Sequence, residues 1–233
     1  MIHKFLNPKK FRYERKFLVE ELGKKEALFV IKENPAMFSE IFHERRINNI
    51  YFDSSNMESY HDNVMGNSQR VKIRIRWYND LFGHIKKPVL EIKIRNNELG
   101  SKQSYQLKPF ILGNNTSKDW LIKEVICKSS LPRWLVEHIK SLKFALLNSY
   151  TRRYFRSADK KYRITIDYDL KFNEIFQNNN KFVKTINHKE YIILELKYER
   201  DADEGAENIT NSFPFRLTKS SKFVSGIDSI SEA

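Results

Sequence analysis

Val71-Lys72-Ile73-Arg74-Ile75-Arg76 alternates an aliphatic residue with a cation at every step. Val89-Leu90-Glu91-Ile92-Lys93-Ile94-Arg95 and Ile193-Leu194-Glu195-Leu196-Lys197-Tyr198-Glu199 repeat the pattern with carboxylates mixed in. A period of two is that of a β-strand, so each stretch carries its charges on one face and its apolar residues on the other. Glu14 and Lys16 form another such set, as do Arg163, Thr165, Asp167 and Asp169. An open sheet with one wet face gives the same alternation. Two details favour a different solution. Arg and Glu dominate where a wet face would also use Thr, Ser and Gln, and the Ile, Leu and Val of the opposite face need cover. A closed barrel with its charges inside and its apolar face out, under helices, satisfies both and leaves no exposed edge.

Outward from these stretches, alternation predicts strands at about residues 12–20, 46–53, 69–78, 88–95, 103–108, 150–156, 161–169 and 190–198, with a weak one at 181–186. Helical spacing falls between them. Glu26 to Lys32 is one short candidate. Pro35 suits the first turn of another, running through Met37, Phe38, Ile41 and Phe42. Ser117 is a candidate N-cap ahead of Trp120, Leu121, Val125 and Ile126. Pro132 opens a run through Trp134, Leu135, Ile139 and Leu142, and an acid-led helix covers Ala202 to Phe213. The tail from about Ser225 is expected to fray.

The chain has 233 residues, which suits one large domain over 1–233 with its core at about 11–226. Its 42 Lys and Arg against 29 Asp and Glu leave a net charge of +13, which favours an anionic partner. Cys127 is the only cysteine, so no disulfide forms within the chain and a reducing, cytoplasmic compartment is expected. Its place at the end of an apolar helical run predicts a buried structural thiol. No apolar run reaches the ~20 residues that span a bilayer, and Met1-Ile2-His3-Lys4-Phe5-Leu6 is no secretory signal. A membrane-bound partner stays open. The six histidines show no metal-ligand spacing, and with seven glycines there is no Gly-Lys-Ser/Thr phosphate loop. Nucleic-acid recognition motifs are missing too.

Like charges packed inside a barrel repel by several kcal/mol at low effective dielectric. Interior glutamates offset part of this, and a phosphate chain with a divalent cation offsets more. Arg binds phosphate bidentately, Lys supplies a point charge, and carboxylates hold Mg²⁺ or Mn²⁺ through oxygen.

In order along the chain, Tyr13-Glu14-Arg15-Lys16-Phe17, Ile50-Tyr51-Phe52-Asp53 with Tyr60, Lys72-Ile73-Arg74-Ile75-Arg76-Trp77-Tyr78 and Leu90-Glu91-Ile92-Lys93 are followed by Tyr150-Thr151-Arg152, Arg163-Ile164-Thr165-Ile166-Asp167, Leu194-Glu195-Leu196-Lys197 and Lys219-Ser220-Ser221-Lys222-Phe223. This ordered set resembles the VTC domain, the polyphosphate polymerase module of the triphosphate tunnel metalloenzyme group. The resemblance implies an α+β fold, an antiparallel β-barrel tunnel with flanking helices. It implies transfer of the γ-phosphate of ATP onto inorganic polyphosphate, with Mn²⁺ or Mg²⁺ and without nucleic acid. Carried over by motif, Lys16, Arg74, Arg76, Lys93, Arg152 and Arg163 would hold the triphosphate. Glu195 would hold the metal, and Tyr150, Lys197, Lys219, Ser221 and Lys222 would bind substrate. Some members of the family are thought to bind polyphosphate without making it. The chain departs from the Glu-x-Glu-x-Lys signature of the related triphosphatases, because Arg12 stands where the first Glu would be. That leaves fewer carboxylates for a hydrolase, which stays as the alternative together with a non-catalytic polyphosphate-binding module.

Overall fold

A computed structural model describes residues 11–182, 184–188 and 191–232. The N-terminal segment read above for a secretory signal lies outside the described residues, as do parts of the stretches 181–186 and 190–198.

The period-two stretches all form strands. In chain order these are β1 (Arg12–Val19), β2 (Ser39–Asp53), β3 (Gln69–Tyr78), β4 (Gly83–Ile85), β5 (Val89–Asn96), β6 (Leu99–Gln106), β7 (Phe110–Leu112), β8 (Lys143–Arg156), β9 (Arg163–Asn173), β10 (Thr185–His188) and β11 (Ile192–Tyr198). Antiparallel pairing runs β9-β11-β1-β6-β5-β3-β2-β8, and β8 pairs back onto β9, so these strands close a ring. β10 adds to the outer end of β9, and β4 and β7 form a separate ribbon. Closure follows from the residue pattern: it hides one charged face and removes the edges.

The outer, apolar face is covered on two sides. α3 (Lys118–Leu121), the π-helical turn Ile122–Ile126 that continues it, α4 (Arg133–Ser141) and the β4–β7 ribbon pack on β2, β3 and β5, around Ile75, Trp77, Leu90 and Ile92. Ser117 caps α3 as expected, its Oγ accepting from Trp120 N at 3.1 Å. α1 (Lys24–Glu33) and α5 (Asp203–Asn211) cover β1, β9 and β11 through Ala27, Ile31, Ala206 and Ile209. α2 (Glu58–Val64) is short and buries no residue. Among the described residues no helix is long and apolar enough to cross a membrane.

The fold departs from several sequence expectations. Pro35 opens no helix; β2 starts at Ser39 and takes Ile41 and Phe42 into a 15-residue strand. Its length comes from pairing with the equally extended β8, a long-range contact that local propensity does not report. Cys127 is exposed, because it ends the π turn on the outside of the bundle. The C-terminal segment is the helix α6 (Lys222–Glu232) rather than a frayed tail. Its residues Phe223, Ile227 and Ile230 pack with Tyr51, Leu146, Leu170 and Phe172, which fill one end of the ring.

Gly226 is what lets α6 sit this close. A Cβ there would lie 2.5 Å from Leu146 Cδ2 and 2.7 Å from Phe172 Cδ1. Gly226→Ala is therefore expected to destabilise by ~1–3 kcal/mol of overpacking, more than the ~1 kcal/mol that alanine contributes to a helix. A thermal melt reads this as a Tm lower by several degrees; an unchanged Tm would mean that the helix is not pressed against the ring.

Candidate active site: a cationic cavity inside the strand ring

Inside the ring is a cavity of about 720 Å³ lined from seven strands and α6. Its charged lining is Arg12, Glu14, Lys16, Lys72, Arg74, Arg76, Lys93, Lys102, Arg152, Glu195, Lys197 and Lys222. Ten of these are cations and two are carboxylates, so the cavity is a site for an anion. Alternation explains the sorting: Glu14, Lys16, Lys72, Arg74, Arg76, Lys93, Glu195 and Lys197 point in while Ile73, Ile75, Ile92, Leu194 and Leu196 are buried on the outer side.

Behind the lining, buried carboxylates hold the cations in place. Glu91, 1% exposed, accepts from Arg74 Nε and Nη2 at 3.0 and 2.6 Å and from Lys102 Nζ at 2.7 Å, and pairs with Arg76 Nη2 at 3.0 Å. Asp167, fully buried, accepts from Arg152 Nε and Nη2 at 2.5 and 2.6 Å and pairs with Lys222 Nζ at 2.5 Å. Asp167 thus pairs with Arg152 and Lys222, not with the neighbouring Arg163. Glu14 accepts from Lys93 Nζ at 2.7 Å. Burial alone would push the Glu91 carboxyl up, but Arg74, Arg76 and Lys102 outweigh it and hold the carboxyl far below its ordinary value. The same balance, with Arg152 and Lys222, depresses Asp167.

A carboxyl depressed in the folded state contributes stability that is present above its unfolded pKa and lost as pH falls below it. Glu91→Gln should therefore be less stable than wild type at pH 7, and the gap should shrink below about pH 4, where the unfolded carboxyl takes up its proton. Urea melts at pH 7 and pH 3 check this; a gap that stays constant would mean that Glu91 is not the anchor of these cations.

The N-terminal turn of α6 closes one end. Lys16 Nζ donates to Ser220 O at 2.6 Å and Lys72 Nζ to Ser221 Oγ at 2.8 Å, so two tunnel lysines meet the helix start. Burial, opposed by Glu195 and Glu14, pushes the Lys16 ammonium down to about 7. Burial also lowers Lys72 well below the ordinary lysine value, with Lys16 and Lys93 adding to it. Cations whose charged form burial disfavours gain when an anion arrives. Tyr150 lies under both the Arg152 guanidinium and the Lys222 ammonium, at 5.3 and 4.8 Å from its ring centre.

Glu195 has a different environment. Its Oε2 pairs with Lys197 Nζ at 2.9 Å and lies 3.9 Å from Arg152 Nη2. Among the described residues its buried Oε1 has no hydrogen-bond partner, and neither has Oγ1 of Thr165, which sits opposite it on β9. Burial would raise this carboxyl, but Lys197, Lys93, Lys16 and Arg152 keep it ionised. A buried carboxylate oxygen left open is a fit for a cation. Among the described residues no three His, Cys, Asp or Glu gather into a protein cage. The fit is therefore to an ion that takes one carboxylate and completes its shell with water and phosphate oxygens, as Mg²⁺ does.

The ring thus brings Lys16, Arg74, Arg76, Lys93, Tyr150, Arg152, Glu195, Lys197, Ser221 and Lys222 together. It leaves out two residues of the sequence-based set. Arg163 shares the inner face but is exposed at the start of β9, opposite Lys197 and Arg156, and does not line the cavity. Lys219 is exposed ahead of α6 and does not line it either. Sequence reasoning gave no role to Tyr51, Lys72 and Lys102. Lys72 lay in plain sight, on the same face as Arg74 and Arg76.

Known structures share this fold. An adenylate cyclase candidate from Bacillus halodurans aligns with a TM-score of 0.52 at 13% identity, over 91% of this chain and 94% of its own. A Hippeastrum protein, described as an adenylyl cyclase candidate with a dominant triphosphatase activity, aligns with a TM-score of 0.51 at 12% identity, over 94% and 96%. A Vibrio parahaemolyticus adenylate cyclase candidate gives 0.51 at 10%, over 93% and 98%. At these identities the likeness is one of fold, the triphosphate tunnel. Among curated proteins none matches the chain significantly. The model of the VTC domain matches residues 11–231, spanning every strand of the ring and the helix that closes it. The chain belongs to the VTC domain family.

Proposed function

We propose that this chain is a polyphosphate polymerase domain, acting as one module over residues 1–233 in the cytoplasm. The observation that carries this reading is the cavity: ten cations around one buried carboxylate with an open oxygen, inside a closed ring. Family membership supports it. A terminal phosphate oxygen of the growing chain attacks the γ-phosphorus of ATP. The bond from that phosphorus to the β–γ bridging oxygen breaks, and ADP leaves with the electron pair. Such a reaction needs alignment and charge stabilisation more than covalent chemistry.

Arg74, Arg76, Lys93 and Arg152 hold the nucleotide's phosphates, and their carboxylate anchors keep them from moving as charge shifts between oxygens. Lys16 completes the cradle around the triphosphate, and Tyr150, Lys197, Ser221 and Lys222 position the accepting chain. Arg163 and Lys219 meet the anion outside the cavity. Glu195 would hold Mn²⁺ or Mg²⁺, which supplies charge neutralisation between the phosphates when bound. Incubation with ATP and Mn²⁺ is expected to give phosphate chains long enough to resolve as a ladder on a gel. Release of orthophosphate alone would reject the polymerase and leave the hydrolase.

A further inference from the structure

The two strands that flank β2 make the same step. β3 passes from Arg76 to Tyr78 and β8 from Arg152 to Tyr154, in each case two residues or about 7 Å further on. Across β2, Arg45 lies opposite Arg152 and Phe42 opposite Tyr154. The cavity lining ends at Arg76 and Arg152 on these strands, and beyond it the chain presents rings instead of charges. The Arg45 guanidinium sits 4.6 Å from the ring centre of Phe42, 5.7 Å from that of Tyr154 and 5.8 Å from that of Tyr78. Its neighbours are rings rather than carboxylates. The cluster also touches the phosphate-facing arginines, with Arg76 5.5 Å from the Tyr78 ring centre and Arg152 5.9 Å from that of Tyr154. Phe42 and Tyr78 are 47% and 36% exposed, so neither ring is spent on the core.

We infer that this cluster is a nucleobase subsite. The base of a nucleoside triphosphate stacks on Phe42, Tyr78 and Arg45, and its phosphates run inward past Arg76 and Arg152. The inference rests on the nucleotide reading of the cavity above. Ring faces and a guanidinium plane accept any base, so the site selects a nucleotide over bare phosphate without choosing among bases by hydrogen bonds.

Titration calorimetry with ATP and with tripolyphosphate separates the two parts of the ligand. In the double variant Phe42→Ala/Tyr78→Ala, affinity for ATP is expected to fall about tenfold or more, as on loss of a base–aromatic stack, with tripolyphosphate affinity unchanged. Tyr78→Phe, which keeps the ring, should bind ATP like wild type. The idea is overturned if ATP and tripolyphosphate weaken together, if neither changes, or if the wild-type protein takes up tripolyphosphate but no ATP. Intact ATP binding without chain synthesis would count against the polymerase and leave this subsite standing.

Discussion

Glu195→Ala and Arg74→Ala are each expected to lower turnover by two to three orders of magnitude while the strand ring stays folded. Charges preorganised at a reacting phosphoryl group are typically worth ~3–4 kcal/mol each in the transition state. Arg74 is held by Glu91 and by Tyr51, whose hydroxyl accepts from Arg74 Nη1 at 3.1 Å. Its geometry is set before substrate arrives. Glu195 offers a buried oxygen that has no hydrogen-bond partner among the described residues. The loss should appear in kcat more than in KM, since both groups act on charge that develops during transfer. Far-UV circular dichroism checks the fold of each variant, and Glu195→Gln, which preserves volume, guards against a loss caused by packing. Wild-type rates in both variants would mean that the chemistry lies elsewhere.

Asp167→Ala is expected to cost the most in stability. Removing one partner of a buried ion pair typically destabilises by ~3–5 kcal/mol, because the other charge is left unpaired. Here two cations, Arg152 and Lys222, lose the fully buried carboxylate that both of them pair with. For a chain of this size the fall in Tm is roughly 10 °C. Tripolyphosphate should raise the Tm of this variant, because an anion that binds only the folded state stabilises it by mass action. A variant as stable as wild type would show that the Asp167 network is ornamental.

The strands and their faces were legible in the sequence because alternation is a local signal. The period alone puts Arg74 with Arg76 and Glu195 with Lys197 on one strand face; that this face points inward follows from closure of the ring. Position along the tunnel axis is not local, and this is why Arg163 was grouped with Arg74 although it stands exposed at the start of β9. The phase also changes within β9. Asp169, at φ +50°, breaks the alternation, and Leu170 and Phe172 beyond it join the apolar cluster under α6. No period read from the flanking residues shows such a break. α6 itself was missed because Ser225-Gly226-Ile227-Asp228-Ser229 has weak helical propensity. Docking of Phe223, Ile227 and Ile230 on the ring stabilises it instead. Pro35 misled for the converse reason: its start signal was real, but pairing of β2 with β8 outweighed it. The anchoring roles of Glu91 and Asp167 needed coordinates, since their partners lie on other strands or on α6.

The most direct test of the central claim is crystallographic: crystals soaked with tripolyphosphate and Mn²⁺, with data collected at the manganese absorption edge. The account predicts an anomalous peak against Glu195 and phosphate density along Arg74, Arg76, Lys93 and Arg152 within the ring. Phosphate bound only on the outer surface, or manganese away from Glu195, would contradict it.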